Sequence, residues 1–280
     1  MKHYKPTTPS RRQMTTATTR GVLTVSKPTK ALTKGKNRSS GRNGYGRITS
    51  RRRGGGHKRR LRDIDFVMDK FDIPMTVRTV EYDPNRSAYI GLVVYADGAQ
   101  RYIVLPQGVT AGDQLIVSAS APLTAGNRLP LKNIAIGTFV YNVELKPRGG
   151  SRLARSAGNY AEVAAKEEGY VHIKMPSSEV RRVPSNAWAS IGEVSNEEHR
   201  LETIGKAGRA RWMGRRPKVT GRSMNAVDHP MGGGEAHARG ARKRRKSKWG
   251  KPVNIGQKTR TSKKYSDKHV VSRRKSKKRG

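Results

Sequence analysis

MTVRTVEYDPNRSAYIGLVVYADGAQRYIVL, residues 75–105, is the stretch on which the fold turns. Over 75–82 Val77 alternates with Arg78 and Thr79 with Val80, the period of two that marks a half-buried strand. Asp83-Pro84-Asn85 supplies turn chemistry, after which 88–95 is a more continuously apolar strand. Ala96-Asp97-Gly98 turns the chain again, and 101–105 returns as the partner of a hairpin. Gly108 to Gly112 forms a further turn and 114–119 (QLIVSA) a further strand. Residues 61–125 thus hold about five short strands and no amphipathic helix, which predicts a small closed or nearly closed barrel such as an OB-fold.

A second series of strands follows Asn127 to Pro130, at 132–136, 139–145, 170–175, 179–183 and 188–194. Pro176-Ser177-Ser178 fits a tight hairpin, and 159–168 (NYAEVAAKEE) is the one plausible helical turn of the chain. Residues 126–200 therefore read as a second small barrel of SH3-like kind. The fold class expected is mainly β, with an OB-fold-like barrel, an SH3-like barrel and long basic, irregular extensions at both ends. The division is 1–60, 61–125, 126–200 and 201–280.

Charge separates these parts. The 280 residues carry 60 Lys+Arg against 20 Asp+Glu, a formal net charge of +40. Residues 1–60 hold 18 basic residues and no acid, and 61–200 hold 16 of each sign. Residues 201–280 hold 26 basic and 4 acidic residues. A neutral body between two basic arms implies a polyanionic partner, on which the arms become ordered. Acidic residues of the body such as Glu167, Glu168, Glu197 and Glu198 are expected to face solvent or the arms. An arm of 60 residues, at roughly 3.3 Å per residue, reaches on the order of 200 Å, a length suited to threading through a large folded RNA. Only 33% of the chain is hydrophobic, and no run approaches the roughly 20 apolar residues of a membrane span. The absence of cysteine removes disulfides, thiolate zinc sites and cysteine nucleophiles. The N-terminus lacks the apolar core of a signal peptide, while its basic, acid-poor composition leaves an organellar transit peptide open.

The densest basic run is RRRGGGHKRR at 51–60, with Arg51, Arg52, Arg53, His57, Lys58, Arg59 and Arg60 around three glycines able to form an anion-holding nest. A localisation signal or a flexible linker is the alternative. KPRGGSRLARSAG at 146–158 places Arg148, Arg152 and Arg155 on a loop of the neutral body, an RNA contact or else a solvated hairpin loop; Arg86 in the Asp83–Asn85 turn is weaker evidence of the same kind. GKAGRARWMGRRP adds Arg209, Arg211, Trp212, Arg215 and Arg216. Trp188 falls in a strand and reads as core, whereas Trp212 and Trp249 sit among cations, where stacking on a base or ribose is favoured and anchoring of an arm is the alternative. MNAVDHPMGGGEAH at 224–237 gathers Asp228, His229, Glu235 and His237. No G-x-S-x-G elbow or P-loop occurs, and the histidines lack the i, i+4 spacing of a helical zinc site. Asp228 and Glu235 therefore satisfy local backbone donors or hold hydrated Mg²⁺ near RNA, with no cofactor or protein-bound metal expected.

The ordered set SGRNGYGRIT, RRRGGGHKRR, EYDPNRSAYI, LPQGV, NVELKP, LARSAG, IGEVSNEEH, GKAGRARW and MNAVDHPMGGGEAH resembles the bacterial type of the large-subunit ribosomal protein L2 family over nearly the whole chain. The resemblance implies a body of OB-like and SH3-like barrels with two extensions, binding to large-subunit ribosomal RNA early in assembly, a place near the peptidyl-transferase region and a bridge to small-subunit RNA. It implies other ribosomal proteins as neighbours, a cytoplasmic or organellar ribosome as location, and neither a membrane nor a homo-oligomer. The family's glycine-rich basic segment maps on Arg51 to Arg60, its RNA-facing loop on Arg148 to Arg155, and its DHP-glycine segment on Asp228 to Glu235. His229 matches the family histidine suggested to assist peptide bond formation, a role read here as structural. Departures are Met231 in place of a second histidine, Leu61 in place of tyrosine, and Ala187 where cysteine is often seen. Met231 weakens any metal or proton relay in that loop. The insert HARGARKRRKSKWGKP is more basic than the family's stretch, so contacts do not carry over to it.

A structural RNA-binding protein without independent catalysis is the expectation. Its rivals are a transferase centred on Asp228 and His229, and a nonspecific compactor of nucleic acid that binds DNA and RNA alike.

Overall fold

The alternation at 75–82 becomes an eight-residue strand, β1 (Met75–Tyr82), in which Met75 and Val77 are buried and Thr76 and Arg78 are exposed. A bulge between Val77 and Thr79 shifts the register, so that Val80 takes the inward position that unbroken alternation gives to Thr79. β2 (Tyr89–Tyr95) is buried along nearly all its length, β3 (Gln100–Val104) returns antiparallel to it, and β4 (Gln114–Leu115) closes the sheet in the order β3-β2-β1-β4. The turn between β2 and β3 is the expected one: Gly98 N donates to Tyr95 O at 2.9 Å, and Ala99 N to Asp97 Oδ1 at 3.1 Å. Only two residues of the strand expected at 114–119 pair in this sheet. The computed structural model describes residues 1–234, 246–253 and 260–274.

The second sheet contains β5 (Arg128–Pro130), β6 (Phe139–Tyr141), β9 (Ala161–Glu167), β10 (Tyr170–Lys174), β11 (Val180–Pro184), β12 (Trp188–Ile191) and β13 (Val270–Ser272). Their order is β13-β11-β10-β9-β6-β12-β5. A separate pair, β7 (Val143–Glu144) and β8 (Ser151–Leu153), flanks the loop at 146–150. Three expectations need correction. Residues 159–168 are not a helical turn: Ala161 and Val163 point into the core from β9, which pairs with β10 around Gly169. The bulge between Val163 and Ala165 breaks the strand's period of two and hides it from a sequence reading. Residues 132–136 are not a strand either; Leu131–Asn133 form a 3₁₀ turn, and the strand lies just before it at β5, inside the Asn127–Pro130 stretch that the strands were expected to follow. Helices do occur elsewhere, at Pro9–Arg12 and at α1 (Ala207–Trp212), segments too short and polar to show a buried stripe. The strand at 139–145 is split by Asn142, whose φ is +48°.

Met75, Val77, Val93, Ile103 and Leu115 anchor the first core, and Leu129, Ile134, Val163, Ile173 and Val183 the second. Small barrels bury little alone, and these two share apolar surface: Ala88 and Val104 of the first pack with Tyr141 and Val194 of the second. Trp188, expected as core, is partly buried and packs from β12 against the first barrel's core. Both barrels, with residues 1–37, fall in one compact unit, while 38–57 and 208–265 form another.

The second barrel buries an ion pair the sequence did not announce. Arg128 and Glu144 are each 1% exposed, with Arg128 Nη2 donating to Glu144 Oε1 at 2.8 Å and Nη1 to Asn142 O at 2.9 Å. Burial pulls the guanidinium's pKa below its ordinary value, and Glu144 opposes that shift. Glu144 Oε2 is occupied too, accepting from Arg148 N at 3.1 Å and Trp188 N at 3.4 Å. The buried carboxylate thereby fixes the start of the basic loop. Among the described residues no helix is long and apolar enough to cross a membrane.

Candidate nucleic-acid interface

On the neutral body the arginines collect around one aromatic ring and one turn. Asp83 is fully buried in the turn after β1, where a carboxylate requires charge-assisted partners. It accepts from Asn85 N at 2.9 Å and from Arg86 Nε at 2.6 Å. Arg86 is thereby held with its guanidinium 5.5 Å from the Phe66 ring centroid, and Arg155 lies over the same ring at 4.4 Å. Burial, followed by the proximity of Arg86 and of Arg152, lowers the Arg155 pKa from its ordinary value. Three cations from two separate segments, 86 and 152–155, thus crowd together with Asp83 as the acid paired to one of them. Arg59 Nη1 donates to Pro84 O at 2.6 Å, and Asn85 Nδ2 to Arg60 O at 2.7 Å, bringing that end of the 51–60 run to the same turn. Lys58 is exposed beside them in the chain. Arg148 stands apart from the cluster, its guanidinium 5.9 Å from the Phe71 ring.

The weak sequence signal at Arg86 therefore belongs with the strong one at 146–158. What the sequence missed is the scaffold. Phe66 looks like an ordinary core residue, and Asp83 like an ordinary turn aspartate. The acidic residues fall as expected, with Glu167 and Glu168 exposed and Glu198 paired to the amine of Met1 at 2.9 Å.

In the other unit the two basic arms form a ribbon. His57 N donates to Trp212 O at 2.9 Å, Gly54 N to Gly214 O at 3.1 Å and Arg216 N to Arg52 O at 3.1 Å, with Arg53 bridged antiparallel to Arg215. Arg51, Arg53, Arg211, Arg215 and Arg216 are exposed on it, and Arg52 reaches Val219 O at 3.3 Å. Arg209 lies half-buried on α1 and Trp212 is exposed at its end. Of the three glycine amides, that of Gly54 is used in the ribbon. Gly56 serves close approach instead. At φ +84° its absent Cβ would lie 2.6 Å from Trp212 O and 2.7 Å from Gly214 N. Gly56→Ala is expected to open the ribbon, at a cost of roughly 1–3 kcal/mol for a strained backbone position. Faster hydrogen exchange at the Gly54 and His57 amides, with the barrels' protection unchanged, is the measurement that checks it.

Trp249 is 68% exposed, with Lys248 Nζ 4.8 Å and the Arg51 guanidinium 5.3 Å from its ring. His229 is half-buried, its ring packed on Gly221 so closely that a Cβ there would sit 2.3 Å from Cε1. Its Nδ1 accepts from Met231 N at 3.1 Å, which fixes the ring through the backbone rather than through the neighbouring Asp228 carboxylate. Asp228 is exposed, and its amide donates to Asn225 O at 3.0 Å. This is a packed turn in which the imidazole's orientation has a structural cause. Glu235 and His237 lie outside the described residues, as does most of the basic insert that follows. Among the described residues no three His, Cys, Asp or Glu side chains gather as a metal site.

Two family models match the chain. That for the RNA-binding N-terminal domain of Ribosomal Proteins L2 covers residues 29–117, and that for the C-terminal domain of the same proteins covers residues 124–250.

Proposed function

The chain belongs to the ribosomal protein L2 family through both of its domains, and from that membership we propose that it binds large-subunit ribosomal RNA as a primary assembly protein. Its place is in the ribosome, among ribosomal RNA and other ribosomal proteins. The finer reading is ours: the barrels at 61–125 and 126–200 recognise RNA shape, the extensions at 1–60 and 201–280 neutralise phosphates, and the whole supports subunit association and the peptidyl-transferase region. The observation that carries it is the convergence of Arg86 and Arg155 about Phe66, with the charge of Arg152 beside Arg155, on a body whose net charge is zero. Guanidiniums fixed in this way present bidentate donors to phosphates without the entropy cost of ordering them first. His229 contributes by shaping its loop, and the rival transferase centred on Asp228 and His229 is disfavoured by the engagement of Nδ1 with Met231.

The test is the affinity of the full chain for large-subunit ribosomal RNA, for unrelated RNA and for DNA of equal length across a salt series. Preference for the ribosomal RNA that survives rising salt is the expected result, on top of a log–log slope of about −0.7 to −0.9 per phosphate contact. Equal binding to all three would make the chain a nonspecific polyanion binder.

A further inference from the structure

A cavity of about 190 Å³ opens between the two barrels, lined by Val67, Asp69, Phe71, Glu144, Arg148 and Trp188. Phe71 and Trp188 form an aromatic wall, with ring centroids 5.0 Å apart and planes tilted by 42°. Both rings lean on the first barrel's core yet stay only partly buried, so part of the wall remains open to a ligand. The Arg148 guanidinium lies 5.9 Å from the Phe71 centroid. Its backbone stands at φ +57°, a left-handed conformation that a side-chain-bearing residue holds only where its surroundings enforce it. Glu144 supplies the enforcement, since its Oε2 accepts the Arg148 amide at 3.1 Å while Oε1 is gripped by Arg128 at 2.8 Å. Strain, a buried ion pair and an aromatic-walled hollow meet at one place.

The cavity adjoins the arginine cluster. From Arg148 the loop runs on to Ser151, whose amide and hydroxyl both donate to Phe66 O, at 2.8 and 3.1 Å. Phe66 carries Arg86 and Arg155 over its ring, and its chain neighbour Val67 lines the cavity, roughly 3.8 Å further along the Cα trace.

We propose that this cavity receives one unstacked nucleobase of the bound RNA, with the base against Phe71 and Trp188 and its adjoining phosphate on Arg148; the proposal rests on the RNA-binding reading above. The space is smaller than the roughly 300–1,000 Å³ that hold a drug-sized ligand, and it suits a single ring system. Every base offers a π face to an aromatic wall. Asp69 at the rim is an acceptor for an exocyclic amino group, and its charge is already offset by Arg101. An apolar protein side chain would satisfy the aromatic wall but would bring no anion to Arg148, or beyond it to Arg152 and Arg155, whereas Arg86 already has Asp83. A nucleotide satisfies both at once.

The experiment uses the full chain and large-subunit ribosomal RNA, with filter binding across a salt series for the native protein, Trp188→Leu, Phe71→Leu and Trp188→Phe. Trp188→Leu and Phe71→Leu are expected to weaken binding on the order of tenfold, the loss of one stacked base, with the salt slope unchanged because no phosphate contact is removed. Trp188→Phe restores most of the affinity. Ultraviolet crosslinking of the native complex is expected to leave a nucleotide adduct on the peptide carrying Phe71 or Trp188. Should Trp188→Leu fail to fold by thermal melting, the crosslink alone decides, an adduct supporting the proposal and its absence overturning it. Binding by folded Trp188→Leu equal to native, or a loss shared equally by Trp188→Phe, overturns the base pocket. Shielding of Trp188 by other ribosomal proteins with no RNA adduct likewise overturns it in favour of a protein occupant. Failure of the RNA-binding reading shows separately, as a native chain that binds DNA as well as ribosomal RNA.

Discussion

Replacing Arg128 with methionine is expected to lower the unfolding free energy by about 3–5 kcal/mol, because Glu144 is left charged, buried and without its partner. The pair is 1% exposed on both sides, so water cannot take the place of the lost guanidinium. Arg128→Met combined with Glu144→Leu removes both charges and is expected to regain most of the loss. Urea unfolding of the three chains checks both expectations. Equal midpoints for native and Arg128→Met would show that the pair contributes nothing. The double variant also separates stability from position, since it folds but no longer offers Oε2 to the Arg148 amide.

The second large effect concerns affinity. Removing Arg86, Arg152 and Arg155 together, each to alanine, is expected to reduce the magnitude of the log–log salt slope for ribosomal RNA by about 2–3, at roughly 0.7–0.9 per phosphate contact. The same relation puts the loss of affinity at 0.1 M salt at about two to three decades. The barrels should melt nearly as before, apart from the Asp83 carboxylate, which loses its partner Arg86 in a site with no exposure of its own. Restoring Arg86 alone separates that structural cost from the electrostatic one. A triple variant whose slope matches the native chain would move the phosphate contacts elsewhere, to the extensions.

Much of this was legible from residues 75–105, where alternation, turn chemistry and an apolar run agree with one another and with the paired strands. Legibility failed where a tertiary partner overrides the local pattern. The strand at 161–167 looks helical because its bulge mixes the two periods, and its edge bonds to β6 and β10 decide the matter from outside the segment. Arg128 sits in a Gly-Asn-Arg-Leu-Pro string that reads as a solvent-exposed turn, and nothing local foretells a carboxylate waiting 16 residues on. The candidate interface divides in the same way. The arginine types and the loop at 146–158 were visible in one dimension, whereas the grouping of Arg86 with Arg155 depends on a shared ring, Phe66, that neither segment contains. His229 was visible as a residue and misleading as a motif, since its orientation comes from Gly221 and the Met231 amide.

The strand β13 pairs Val270 with Arg181 and Ser272 with Val180, at the outer rim of the second sheet. About 80 residues separate it from β12, the previous strand of that sheet in the chain. At a synthesis rate of roughly 5–20 residues per second, those residues take on the order of 4–16 s to make. Throughout that interval a nascent chain carries β11 with one rim open, a template for pairing with a stranger. Pairing of Val270 to Ser272 with that rim removes the hazard. A chain truncated before Val270 is thus a candidate for misassembly even though every residue of both barrels' cores is present.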